Sequence, residues 1–155
     1  MKNITALNDV AKFHSTFGHP IEKSPVIPSL KRCNLRISLI REELDELEKA
    51  ISNNDLVEVS DALCDLQYVL AGAILEFGLG EKFHSLFKEV QRSNMSKACN
   101  SIQDAEATVK FYTEKENVEC EIKMVTDKYL IYRKPDGKVL KSIYYSPANL
   151  KSIIK

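Results

Sequence analysis

Six acidic side chains occupy two neighbouring predicted helices between residues 42 and 65. They are Glu42, Glu43, Glu46, Glu58, Asp61 and Asp65. At about 100° per residue, the first three share one arc of the first helix and the last three share one arc of the next. Two helices joined by a tight turn run antiparallel, so the arcs are expected to face each other. Crowded carboxylates repel, and divalent cations resolve that conflict. Oxygen ligands alone favour Mg²⁺, or Mn²⁺, over zinc.

The same residues also fit a solvated helix face. Charge runs on helices are usually exposed, and Asp55 and Glu58 have the spacing of a capping box. However, the acidic line on the second helix continues through small or apolar residues, among them Ala62 and Gly72. A carboxylate beside a packed surface needs a neutralising partner. On spacing alone, metal binding and solvation both stay open.

The elements that must position these acids are mainly helices. Amphipathic spacing and capping residues predict helices over residues 5–17, 29–51, 55–77, 81–94 and 104–113. The third is expected to bury one apolar side, consisting of Leu56, Leu63, Leu66, Leu70, Ala73 and Phe77. Residues 121–125, 129–133 and 139–145 are rich in β-branched and aromatic side chains, with a turn signal at 135–138 between the last two. We therefore expect a β-hairpin or small sheet after the helices.

Composition limits the classes of protein. The chain has 155 residues, 44% hydrophobic and 28% charged, which predicts one globular domain over 1–155, with a helical bundle over 1–113 and a β-hairpin appendage over 118–146. A net charge of zero predicts no nucleic-acid or membrane partner. Four widely spaced cysteines make a disulfide framework or zinc site a poor prediction. A cytoplasmic location is the expectation.

The acidic spacing resembles a known signature. Glu42-Glu43-x-x-Glu46 followed by Glu58-x-x-Asp61 is similar to the EExxE…ExxD motif of the all-α nucleoside triphosphate pyrophosphohydrolases. This superfamily includes the MazG, dimeric dUTPase and phosphoribosyl-ATP pyrophosphohydrolase branches. The resemblance implies a mainly α fold, a bundle of four to five helices of this type, here followed by a small C-terminal β-hairpin.

Three further segments extend the resemblance over roughly residues 5 to 100. They are residues 61–72, Ser93-Asn94-x-x-Lys97, and Phe13-His14-x-x-Phe17-Gly18. They are similar to the phosphoribosyl-ATP-pyrophosphohydrolase-like branch that contains MazG-like dUTP-cleaving enzymes. The combination is more specific than the acidic motif alone, because ExxE and ExxD arise often on helices.

The resemblance implies Mg²⁺-dependent hydrolysis of a (deoxy)nucleoside triphosphate, dUTP-like substrates included, to the monophosphate and pyrophosphate. It implies a metal site made of Glu43, Glu46, Glu58 and Asp61, and a water activated by Glu43 or Glu42. Substrate contacts are expected from Asp65, Tyr68, Asn94, Lys97, Phe17 and His14. Of these, Phe17 and His14 are candidates for contact with the base.

Two other functions stay open on the sequence. One is another phosphohydrolase that uses the same carboxylates on a phosphoribosyl-nucleotide, and the other is a non-enzymatic helical interaction module. In either case the apolar stripes on most helices, and the resemblance, predict a homodimer or homotetramer.

Overall fold

The structure, a computed structural model, describes residues 5–155 and confirms a mainly helical chain with a small C-terminal sheet. The described residues form six helices and three strands. The helices are α1 Ala6–Phe17, α2 Leu30–Ser52, α3 Leu56–Glu76, α4 Gly80–Met95, α5 Ile102–Glu116 and α6 Lys151–Ile154. The strands are β1 Cys120–Val125, β2 Lys128–Arg133 and β3 Val139–Leu140, paired antiparallel in the order β1-β2-β3.

The chain divides into two compact units within α4. The first ends at His84 and the second runs from Ser85 to Lys155. The second unit contains α5 together with the sheet, whereas the sequence placed residues up to 113 with the helical bundle. The single domain over 1–155 stays a prediction.

Capping residues fix the ends of the helices that carry the acids. Ser29 Oγ accepts from the Arg32 backbone N–H at the start of α2. Asp55 Oδ1 accepts from the backbone N–H groups of Val57 and Glu58, at 3.0 and 3.2 Å, at the start of α3. Asn54 between them has a φ of +54°, a left-handed conformation that asparagine tolerates. A short turn therefore joins α2 to α3 and brings their acidic stretches alongside each other.

The predicted buried face of α3 is wrong. Leu56, Leu63 and Leu70 are 78%, 52% and 45% exposed. The helix instead buries a face that begins with small residues, namely Ala62, Ala71, Gly72, Ile74, Leu75 and Glu76. Apolar side chains surround most of α3, so helical periodicity alone could not select the face that packs. Small side chains allow neighbouring helices to approach closely, and the face of α3 that carries them is the one that is buried.

Separate cores stabilise the two units. In the first, Val10, Ala71 and Leu75 form a buried cluster between α1 and α3. In the second, Cys99, Ala105 and Ile131 are buried between α5 and the sheet.

The last strand is shorter than predicted. β3 spans two residues, after which the chain leaves the sheet, and Ser142 N–H donates to the carbonyl oxygen of Lys97.

Among the described residues no single helix has the length and apolar composition needed to cross a membrane; α3 and α4 meet that test only as a pair, bent by 114°.

Candidate active site

The α2–α3 pair brings some of the predicted acids to one cleft. Towards one end of the pair, Arg36 of α2 lies against Gly72 and Glu76 of α3. Towards the other end, Glu46 of α2 and Asp61 of α3 line one cleft. This order along the two helices is that of an antiparallel pair, so acids that are distant in sequence become neighbours.

Three of the four predicted metal ligands share that cleft, which has a volume of about 210 Å³. Glu46 comes from α2, and Glu58 and Asp61 come from the first two turns of α3. Ala50 and Ala62 are almost completely buried, at 4% and 3% exposure, and form the packed surface beneath the acids. The acidic side chains themselves are exposed. The cleft is open to a solvated ligand.

The pKa of the Glu43 carboxyl is raised from its ordinary value. Burial raises its pKa first, and repulsion from Asp65, Glu46, Glu42 and Asp61 raises it further. The negative charges of both helices therefore act on one carboxyl, which is itself half-buried. A carboxyl with a raised pKa is a better proton acceptor than an ordinary glutamate. Nearby positive charge would lower its pKa again.

The chemistry of this donor set fits Mg²⁺ or Mn²⁺, because all the candidate ligands are carboxylate oxygens. Within residues 5–155, no three carboxylate, imidazole or thiolate groups already lie close enough to hold a metal ion. The residues therefore fit a Mg²⁺ site in the chemistry of their donor atoms and in their location, but their carboxylates are too far apart in this structure to coordinate one ion.

A buried ion-pair network lies further along α2 and α3. Glu76 is 1% exposed and accepts hydrogen bonds from the guanidinium groups of Arg32 and Arg36. Burial alone would raise the pKa of the Glu76 carboxyl, but the hydrogen bonds and charges of the two arginines lower it. The sequence interpretation missed this network. The spacing of four residues puts Arg32 and Arg36 on one face of α2, but their partner Glu76 is 44 and 40 positions away and no local pattern indicates it.

His14 and Tyr68, both predicted substrate contacts, border a cavity of about 380 Å³ beside this network. His14 is buried and both ring nitrogens are engaged: Nδ1 lies 2.9 Å from the carbonyl oxygen of Pro20, and Nε2 lies 3.2 Å from Arg36 Nη2. Burial lowers the pKa of His14, and the neutral ring fits both contacts, with Nδ1–H as donor and Nε2 as acceptor. Phe17 is 64% exposed and its ring contacts that of Phe13.

Asn94 and Lys97, the other predicted substrate contacts, lie in the second unit. Lys97 Nζ donates a hydrogen bond to Asn94 Oδ1 at 2.8 Å, so the two side chains are in direct contact. Arg92, on the same helix as Asn94, is paired with Glu89. The role of Asn94 and Lys97 in substrate binding stays a prediction.

Comparison with known proteins identifies the family. The family model described as phosphoribosyl-ATP pyrophosphohydrolase matches residues 10–94, more than half of the chain. The chain belongs to the phosphoribosyl-ATP pyrophosphohydrolase family. The matched segment includes all six acids of α2 and α3, and membership supports a nucleotide pyrophosphohydrolase activity in general. The uncharacterized protein L479 of Acanthamoeba polyphaga mimivirus is 23% identical, over a match that covers 94% of each protein.

Proposed function

We propose that this chain hydrolyses a nucleoside triphosphate between its α and β phosphorus atoms and releases the monophosphate and pyrophosphate. The observation that supports this most is that Glu46 of α2 and Glu58 and Asp61 of α3 line one open cleft. Carboxylates from two helices at one cleft suit a cation that carries phosphate, whereas a solvated face does not require them to share a cleft. Family membership supports the reaction class.

The metal ligands we propose are Glu43, Glu46, Glu58 and Asp61. A nucleoside triphosphate carries close to four negative charges, so a pocket of carboxylates cannot bind it directly. When bound there, Mg²⁺ would offset the negative charge of the carboxylates and phosphates and would make the attacking water more acidic.

The residues of the chain then have separate roles. Glu43, or Glu42 beside it, orients the attacking water and accepts its proton, and we favour Glu43 because it is half-buried, whereas Glu42 is exposed. Asp65 repels Glu43 and lies one turn beyond Asp61 on α3. Its place fits a residue that holds a ligand or the sugar in position.

A second candidate is a phosphoribosyl-nucleotide substrate, which the name of the matched family favours. It would use the same carboxylates and also release pyrophosphate. The two candidates differ in the group attached to the α phosphorus, so product identification separates them. A dUTP-like substrate belongs to the first candidate.

The decisive experiment is a substrate panel with Mg²⁺: the common ribo- and deoxynucleoside triphosphates, dUTP and phosphoribosyl-ATP. Pyrophosphate and the nucleotide product are both measured. We expect pyrophosphate and one nucleoside monophosphate in equal amounts. In Glu46→Gln we expect the rate of hydrolysis to fall by a factor of about 10² or more. Glu48→Gln is the matched control, an exposed glutamate on the same helix outside the acidic group. Release of orthophosphate, or equal activity in the two variants, would contradict the proposal.

We also propose that the chain forms a homodimer or homotetramer. The exposed apolar side chains of α3 support this, since Leu56 and Val57 are 78% and 76% exposed. Apolar side chains at such exposure are better accommodated against a second copy than in water.

A further inference from the structure

One edge of the sheet is open along the whole of β1. In the described part of the chain β2 is the one strand that pairs with β1, so the other side of β1 has no strand beside it. The register with β2 runs without a bulge from Cys120 to Val125, and β1 contains no proline. Bulges and prolines are common means of blocking an edge strand. β1 therefore presents backbone N–H and C=O groups to which another strand can bond.

The hydrogen bonds of β2 show which residues of β1 face this edge. Arg133 N–H donates to Lys138, which continues the register of β3, and Tyr129 exchanges backbone bonds with Cys99. The odd-numbered residues of β2 thus bond away from β1, and since direction alternates along a strand, the even-numbered residues bond towards it. Their partners in β1 are its odd-numbered residues. The remaining three direct their N–H and C=O groups to the open edge; they are Cys120, Ile122 and Met124.

The charges of β1 fit a second copy of β1 in one register. In an antiparallel two-fold contact, outward-facing residues bond to outward-facing residues, and two or more of them bond when the centre is residue 121, 122 or 123. A centre at 121 or 123 puts Glu121 opposite Glu121, or Lys123 opposite Lys123. A centre at Ile122 puts each Glu121 opposite a Lys123 and lets all three outward-facing residues bond. Opposite charges directly across two strands attract, whereas like charges repel.

The side chains of β1 support the same register. Those of Ile122, Met124 and Cys120 lie on the face opposite to the two charges, because direction alternates along a strand. With the centre at Ile122, the two isoleucines meet, and Met124, which is 65% exposed, gains Cys120 of the other copy as a neighbour. A lysine on an edge strand often prevents pairing, but Lys123 Nζ lies 3.1 Å from Glu121 Oε2, so its charge is already compensated.

We infer that β1 pairs antiparallel with β1 of a second copy, centred on Ile122, and forms one sheet of six strands across two chains. Strand addition of this kind obtains its affinity from backbone hydrogen bonds and its register from the side chains. The contact belongs to the second unit and is separate from the one proposed on α3. Two different two-fold contacts on one chain are what a tetramer of dihedral symmetry requires.

Charge reversal in the whole chain tests this register. The background is Leu56→Asp with Val57→Asp, which removes the contact proposed on α3, and association is measured by sedimentation velocity up to high micromolar concentration. We expect Glu121→Lys and Lys123→Glu each to weaken self-association about tenfold or more, because like charges then lie opposite each other twice. An equimolar mixture of the two variants is expected to associate as the background chain does. Met124→Pro is expected to weaken association too, since it removes an outward N–H and leaves the bonds to β2.

The matched control is Lys110→Glu, a charge reversal at a residue of α5 whose side chain is 72% exposed and pairs with Glu114. It is expected to associate as the background chain does, and far-ultraviolet circular dichroism checks that each variant is folded. Three results would overturn the inference. They are a background chain that sediments as a single chain throughout, reversed variants that associate as well as the control, and a mixture that associates no better than either reversed variant alone.

Discussion

The carboxylate of Glu76 shows how strongly one buried charge depends on its partners. It is 1% exposed and lies between the guanidinium groups of Arg32 and Arg36. In Glu76→Gln the charge of Arg36, itself almost fully buried, loses its counter-ion. We expect the free energy of unfolding to fall by about 3–5 kcal/mol, measured by urea denaturation.

The exposed Glu48→Gln serves as the control for that measurement. Its effect is expected within about 0.5 kcal/mol, since surface substitutions away from such networks change stability little. A loss below 1 kcal/mol in Glu76→Gln would show that the pair is not buried as described.

His14 makes the stability of the first unit depend on pH. Burial lowers its pKa from 6.5, so below that pH the unfolded chain binds more protons at this site than the folded chain does. The contribution of the neutral His14 ring to the free energy of unfolding is therefore fully present above pH 6.5. It is lost as the pH falls from 6.5 through the lower pKa of the folded state.

The pH effect is measured as the urea midpoint at several values between pH 7.5 and 5. We expect the midpoint to fall with pH in the parent and to fall less in His14→Gln, which cannot take up the proton. The difference between the two chains isolates His14 from His19 and His84, which both retain. Parallel pH profiles would contradict the neutral, buried state of the His14 ring.

At the residue scale, the sequence predicted the acids but not the arginine network. The acids repeat within one or two turns of each helix, so spacing alone puts them on one face. Glu76 and Arg36 are 40 positions apart, and only the packing of α2 on α3 brings them together. The base contact of His14 stays a prediction; in the structure its ring nitrogens lie against Pro20 and Arg36.

Among the elements, α3 depends on a glycine where the Arg36 side chain of α2 packs against it. A Cβ on Gly72 would lie 2.6 Å from Arg36 Nη1 and 3.1 Å from His14 Nε2. The guanidinium group of an arginine can usually move aside, but that of Arg36 is hydrogen-bonded to Glu76 and His14. We expect Gly72→Ala to destabilise the chain by about 1–3 kcal/mol, although alanine favours a helix by about 1 kcal/mol.

A double-mutant cycle tests the cause of that loss. In the Glu76→Gln background Arg36 is less firmly held, so the added methyl group is expected to cost at least about 0.5 kcal/mol less. Additive effects in urea denaturation would mean that the clash does not act through Arg36.

Helix ends were predicted well because they depend on local chemistry. Ser29 and Asp55 cap the starts of α2 and α3 with their side chains, and Gly18 follows α1 with a positive φ, which are positions that these residue types favour. The buried face of α3 was not predicted, because leucines and small residues alternate around it and only the partner helices select between them. β3 is shorter than its pattern of β-branched and aromatic residues suggests, since the chain turns at Ser142 to bond with Lys97.

For the molecule as a whole, the exposed apolar side chains of α3 predict self-association. Sedimentation equilibrium at micromolar concentration is expected to give two or four times the chain mass of 17.6 kDa. Leu56→Asp with Val57→Asp is expected to shift the species towards the single chain, because charge is excluded from an apolar interface. A parent protein that sediments as a single chain throughout would contradict the proposed assembly.

The central claim is that carboxyl groups of α2 and α3 bind Mg²⁺ together, and thermal unfolding with and without Mg²⁺ tests it most directly. A ligand that binds only the folded chain raises Tm as its concentration rises. We predict a Tm that rises with Mg²⁺ in the parent and in Glu48→Gln, and rises much less in Glu46→Gln and in Asp61→Asn, one variant from each helix. The same rise in all four chains, or no rise in the parent, would contradict the claim.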